Sequence, residues 1–223
     1  MATSISLDSE TPPSEKNGVM APLRQDLRLI ADLVRREARV LDIGCGDGAL
    51  LGHLAETKAV DGRGIELSRQ GVKDCLSRGL SVVQGDAEKD LHLYPDDSFD
   101  YVILSQTIQA MHRPDHIIDE MLRIGHFGIV SFVNYAHWRA RWRLVRGRMP
   151  RGSAKAEPWY STPNIRPCTL DDFEALAAKL GLEVEHRICL ASNGQVSRKA
   201  GGLWFDNLLS AQALFMLSRK AST

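Results

Sequence analysis

Apolar residues fall at two spacings along this chain, and their alternation sets out the fold. Between residues 22 and 36, Leu23, Leu27, Ile30 and Val34 recur three or four positions apart, the period of an amphipathic helix. A short apolar run at 39–43 reads as a buried strand. Helix and strand then keep alternating, with a helix over 48–56, a strand over 59–66, a helix over 68–78 and a strand over 80–84. Residues 94–98 make a turn before a strand over 99–104. A helix over 114–124 opens with proline in its first turn and runs into Gly125, and 126–133 makes a fifth strand. Such alternation predicts a mostly parallel sheet with right-handed crossovers.

After Asn134 the pattern changes. Residues 137–151 hold six arginines and no acid, with Trp138, Trp142 and Val145 at i, i+4 and i+7. This predicts a helix with an apolar stripe in a basic surround. Such a helix either packs on the sheet with its arginines snorkelling to water, or meets a protein partner, or meets RNA or anionic lipid. Residues 157–168, with three prolines and Trp159, Tyr160 and Asn164, predict a rigid non-helical loop whose length points to function. Thr169 followed by Asp172 is a capping-box variant that starts a helix ending at Gly181. Strands over 183–190 and 211–217 close the chain, separated by a Gly- and Ser-rich flexible loop over 192–202.

Candidate chemistry gathers where the strands end. Gly44, Gly46 and Gly48 follow the first strand at alternate positions, where residues without a Cβ let the backbone turn sharply and press against a ligand. The amides opening the next helix face that turn. Glu66, Asp86 and Ser105-Gln106 stand at or just past the ends of the next three strands, and such ends form the crevice where open α/β sheets bind ligands. Gly44, Gly46 and Ala49 formally satisfy the dinucleotide fingerprint, with Glu66 as its ribose acid. Asp42 decides against that reading, because carboxylates at Asp42 and Asp47 would repel a pyrophosphate. The same charges suit S-adenosylmethionine (SAM), which has a ribose, a sulfonium and an ammonium but no phosphate. Opposite charges ~4 Å apart in a partly dry cleft attract by several kcal/mol before desolvation.

The run from Val40 to Gly48 (Val-Leu-Asp-Ile-Gly-Cys-Gly-Asp-Gly) resembles the first motif of class I SAM-dependent methyltransferases, and 64–68, 84–87 and 99–105 resemble the next three. The resemblance implies a single Rossmann-like α/β domain over 20–223, with a mostly parallel seven-stranded sheet and a C-terminal antiparallel hairpin. Residues 134–168 form an insertion facing a partner or a methyl acceptor. The implied ligand is SAM or S-adenosylhomocysteine. Its contact set is Asp42, Gly44, Cys45, Gly46, Gly48, Glu66, Leu67, Asp86, Ala87, Ser105 and Gln106. Within that set the glycines line the methionine moiety, Glu66 takes both ribose hydroxyls, Asp86 and Ala87 frame adenine, and Gln106 sits near the transferable methyl.

A narrower resemblance runs from about Leu23 to Lys220. Residues 104–111, 120–125, 129–138, 146–150, 162–165 and 168–173 are similar to the bacterial methionine-biosynthesis MetW family. One departure is Phe132-Val133-Asn134-Tyr135, where Phe-Pro-Asn-Phe is expected, which bears on the shape of an acceptor pocket. The family is associated with homoserine O-acyltransferase, which needs it for full activity.

Composition narrows the alternatives. With 28 acidic and 28 basic residues the formal charge is zero, so no nucleic-acid or membrane partner is expected. Residues 1–19 are polar, with Pro12-Pro13 and no apolar core, and read as a disordered tail rather than a secretory signal. Cys45, Cys75, Cys168 and Cys189 lie far apart without metal-ligand spacing, which fits reduced thiols in a cytoplasmic protein and no metal site. Cys45 reads as a small residue filling a tight turn rather than as a nucleophile.

Two functions remain. One is a SAM-binding partner subunit of homoserine O-acyltransferase, with SAM as feedback ligand and contacts through the basic segment and the 157–168 loop. The other is an active small-molecule methyltransferase with its acceptor over Gln106, His112 and Asn134. The catalytic candidates there are His112 and Gln106, and His137, Tyr135 and Tyr160 are further possible bases.

Overall fold

The computed structural model describes residues 23–150, 159–197 and 203–220. The proposed tail at 1–19 lies outside the described residues. Five strands are parallel: β1 (Arg39–Ile43), β2 (Asp61–Glu66), β3 (Ser81–Gln84), β4 (Phe99–Ser105) and β5 (Gly125–Val133). Three more pair antiparallel: β6 (Leu182–Ala191), the two-residue β7 (Val196–Ser197) and β8 (Ser210–Arg219). The sheet order is β3-β2-β1-β4-β5-β8-β6-β7. All seven expected strands are present. The order reverses at β1, so the crevice between β1 and β4 is the place where such sheets take ligands.

Helices cover both faces. Helices α1 (Gln25–Leu33), α2 (Ala49–Lys58) and α3 (Arg69–Ser77) bury residues such as Ile30, Leu54 and Cys75 on one side. On the other lie α4 (Ala87–Asp90), α5 (Pro114–Ile124) and α7 (Leu170–Lys179), with Leu91, Ile117 and Phe173 in that core. Strands β1 and β4 are buried nearly throughout, as strands covered on both faces must be. Phe132 of β5, Phe173 of α7 and Phe215 of β8 pack with ring centroids 4.7–5.8 Å apart. They clamp the antiparallel end onto the parallel sheet. The expected capping box starts α7, with Asp172 accepting from the Thr169 amide at 3.0 Å.

Several boundaries and one loop need correction. The first helix is shorter than 22–36, although its expected face is inward, with Leu27, Ile30 and Val34 buried. Ala59 closes α2 at φ +53°, so β2 begins at Asp61. The region read as a flexible loop at 192–202 contains β7, paired with Cys189 and Leu190. A helix the periodicity did not predict, α8 (Leu203–Leu209), precedes β8.

The remaining helix, α6 (Trp138–Val145), has no buried residue. Packing on the sheet, one of its three sequence readings, is therefore excluded. Trp138 and Trp142 are about half exposed, and Val145 is 78% exposed.

Candidate functional site

At the carboxyl ends of β1 and β4 a cavity of about 330 Å³ opens between the glycine turn and the start of α1. Leu23, Arg24 and Leu27 line it from the first helix and the residues before it, Asp42, Gly44, Cys45, Gly46, Asp47, Ala49 and Leu50 from the end of β1, the glycine turn and α2, and Arg78 and Ser105 complete the lining. Gly44, Gly46 and Gly48 all have positive φ, between +57° and +76°. At Gly44 a Cβ would meet Thr107 at 2.9 Å, whereas at Gly46 it would meet nothing within 4 Å. The turn is thus packed on one side and open on the other.

Charge in the cavity is mixed and ordered. Asp42 is 3% exposed, and its Oδ1 is a buried acceptor without a hydrogen-bond donor. Burial pushes its carboxyl up to about 7, the Glu66 charge adds to the rise, and Arg24 opposes it. Arg24 forms an ion pair with Asp26 at 3.0 Å and reaches Ser105 Oγ at 3.4 Å. Asp47 pairs with Arg78 at 3.1 Å across the mouth. Two carboxylates and two guanidiniums around one small cavity match a zwitterion, which carries an ammonium and a carboxylate on one carbon.

Glu66 stands beside the turn rather than in the cavity wall. Its Oε2 accepts from the Gly46 amide at 2.8 Å and its Oε1 from the Ser68 amide at 2.7 Å. A carboxylate has about four acceptor sites, so two remain for a ligand's hydroxyls. Leu67 next to it is 69% exposed. Asp86 caps α4 by accepting from the Glu88 amide at 3.1 Å, and its ion pair with Lys89 holds its carboxyl below the usual range. Ala87 is buried.

Gln106 adopts φ +58°, uncommon for a residue with a Cβ, and its Nε2 is buried without a partner. Its amide donates to Ser131 O at 2.9 Å. One turn on, the Gln109 Nε2 donates to Val133 O at 2.9 Å and its Oε1 accepts from Val133 N at 3.3 Å. The Gln109 carbonyl accepts from the Arg166 amide at 2.9 Å.

Of the residues marked in the sequence, Asp42, Gly44, Cys45, Gly46 and Ser105 line the cavity together. Gly48, Glu66, Leu67, Asp86, Ala87 and Gln106 are not among its lining residues. His112 is exposed and pairs with Glu88 at 2.9 Å, away from the cavity. Asn134 is a correction. It is fully engaged inside the protein, donating to Asn207 O and Ser210 O and accepting from Ala136 N, so it cannot face an acceptor. His137 caps α6 through Nδ1 and faces Ser192 through Nε2; burial pushes its imidazole below the ordinary value. The Cys45 thiol lies 3.8 Å from that of Cys75, and burial raises it far above the ordinary range, which disarms it as a nucleophile. Arg78, which the sequence did not mark, also lines the cavity. It meets Asp47 from thirty-one positions away, with no motif to connect them.

The model of the methionine biosynthesis protein MetW matches residues 24–217, nearly the whole described chain. The chain belongs to the MetW family. A bifunctional methionine biosynthesis protein MetXA/MetW from Rhodopirellula baltica is 31% identical over 81% of this MetW chain. Norajmaline N-methyltransferase from Rauvolfia serpentina is 32% identical over 48% of it. The chain spans 30% of the first relative's length and 39% of the second's. Among solved structures, a SAM-dependent methyltransferase from Thermotoga maritima superposes with a TM-score of 0.65 at 22% identity, covering 88% of each chain. The MetW chain therefore has the fold of class I SAM-dependent methyltransferases. Among the described residues no helix is long and apolar enough to cross a membrane.

Proposed function

We propose that this MetW chain binds SAM or S-adenosylhomocysteine in the cavity and acts as a SAM-responsive partner of homoserine O-acyltransferase. The residues fit the ligand. Asp42 Oδ1 offers a buried acceptor to an ammonium, Arg24 a cation to a carboxylate, and the open side of Gly46 room for a close approach. Glu66 keeps spare acceptor capacity for ribose hydroxyls, and Asp86 with Ala87 would flank adenine. When bound, SAM supplies a sulfonium whose methyl is electrophilic.

The observation that carries the partnership is the relative whose single chain bears both names, MetXA and MetW. Fusion of two activities in one polypeptide fits two proteins that work in contact. Feedback by SAM then requires unequal affinity for the free and partnered states, because equal binding shifts no equilibrium. The test is homoserine acylation by the matching acyltransferase with and without this chain, across a SAM titration. Activation that SAM modulates supports the reading, and no activation refutes it.

Methyl transfer is the second reading, favoured by the methyltransferase relatives. Holding an acceptor in line with the sulfonium would be the chief requirement. A base is harder to supply, because His112 pairs outside the cavity and His137 is spent on capping. Gln106, with an unsatisfied buried amide beside the strand end, is the group best placed to orient an acceptor.

A further inference from the structure

A second surface of the molecule is built from three segments that meet at one buried hub. Asn134 reaches α8 through Asn207 O at 2.7 Å, and the Tyr135 amide donates to Cys168 O at 3.1 Å. Asn164 Nδ2 donates to the Tyr135 hydroxyl at 3.3 Å, and α6 leaves directly from His137. Each segment then turns large apolar groups outward. Trp142 of α6 is 51% exposed, Trp159 of the loop 74% and Trp204 of α8 61%. Tyr160 and Phe205 pack edge-on against their tryptophan neighbours and are equally exposed. Solitary exposed apolar residues are ordinary, but a set of this size around one hub marks an interaction site.

Charge identifies what covers it. The chain is neutral overall, yet residues 137–150 carry five arginines and neither lysine nor acid. The described loop residues 159–168 add Arg166 and no acid. The carboxylate of α8, Asp206, is buried and tied to Arg187 at 2.9 Å. Arg139 and Arg146 lie over Trp138 and Trp142, at 5.3 and 4.7 Å from the ring centroids, so cations frame the rings. A second copy of this chain would set arginine against arginine, which costs several kcal/mol per opposed charge. Tryptophan, tyrosine and arginine without lysine is the composition of protein–protein hot spots.

We infer that α6, the 159–165 loop and α8 form the docking face for a protein partner that presents carboxylates around an apolar groove. This rests on the partnership proposed above, so the acyltransferase is the occupant. The cofactor cavity is not part of this face, because none of its lining residues belongs to the three segments.

The experiment uses the full chain and the matching homoserine acyltransferase. Wild type, Trp142→Ala, the pair Arg146→Glu and Arg148→Glu, and a Lys73→Glu control on α3 are titrated into the acylation assay, with SAM binding measured in parallel by calorimetry. The concentration for half-activation is expected to rise at least tenfold for the α6 variants and to stay unchanged for Lys73→Glu, with SAM affinity equal in all. Equal activation by all variants overturns the docking face while leaving the partnership standing. No activation by wild type overturns both. Binding to phosphatidylglycerol vesicles that the same substitutions abolish, or a wild-type dimer in light scattering that they dissociate, also overturns the assignment, in favour of lipid or of self-association.

Discussion

The carboxylate of Glu66 accepts a hydrogen bond from the Gly46 amide at 2.8 Å, so the acid ending β2 holds the glycine turn that follows β1. One side chain thus shapes the floor of the cavity and waits beside it for a ligand. Replacing it with alanine frees the Gly46 and Ser68 amides together and removes both acceptors. SAM affinity in calorimetry is expected to fall at least about tenfold, the loss of one to two charge-assisted hydrogen bonds. Unchanged affinity would sink the assignment of the cavity.

Asp42 makes a prediction about pH. Burial pushes its carboxyl from the ordinary 3.8 up to about 7, so between these values the folded state holds a proton that the unfolded state has lost. Stability contributed at this position therefore falls as pH rises from about 4 to about 7 and levels off above. Asp42→Asn removes that penalty. In the ligand-free protein its melting temperature is expected to match wild type near pH 4 and exceed it by several degrees at pH 8. The same substitution should weaken SAM binding at pH 7.5 more than at pH 5.5, since only the ionised carboxylate attracts an ammonium. A constant difference in melting temperature across this range would contradict the assignment.

Gly44 separates two kinds of strain. Alanine there faces φ +70° and a contact with Thr107 at 2.9 Å. The left-handed backbone alone costs about 1–2 kcal/mol. Gly44→Ala is expected to lower the melting temperature, and adding Thr107→Ala to recover only the part due to the contact.

Phe173 sits between Phe132 and Phe215, with centroids 4.8 and 4.7 Å away. Truncation to alanine empties a fully packed site, which typically costs about 3–5 kcal/mol. Urea unfolding should show that loss as a lower midpoint with an unchanged slope.

His112 discriminates the two functional readings. It is exposed and paired with Glu88, outside the cavity, so His112→Ala should leave SAM affinity and acyltransferase activation as in wild type. If a methyl acceptor is found and its turnover collapses in this variant, His112 is the base after all.

The cavity was legible in the sequence because its requirements are local. Turns that need positive φ select glycine, and acids at strand ends fall at countable intervals, so Asp42, Gly44, Gly46 and Glu66 could be marked from spacing alone. Arg78 could not, because only the tertiary fold brings it to Asp47. Asn134 and His137 misled for a physical reason. Polar side chains beside a strand end can serve a ligand or close the protein's own hydrogen bonds, and their residue type is the same in both cases. The Trp138, Trp142 and Val145 stripe fixed the periodicity of α6 but not what lies against it. Helix α8 escaped because its seven residues show no full period, and β7 because two residues carry no alternation.

Gln109 deserves a different description from that of a buried polar residue. Its side-chain amide gives and takes one hydrogen bond with Val133, as a peptide unit of a neighbouring strand would, so it acts as a surrogate rung on the ladder of β5. Glutamate would lack the donor and asparagine the reach. The turn after β4 is thereby bolted to β5, while the carbonyl of the same residue anchors the loop at Arg166. The turn that follows β4 and the loop at Arg166 thus hang from a single bracket, so one glutamine ties the strand ends beside the cavity to the 159–168 segment.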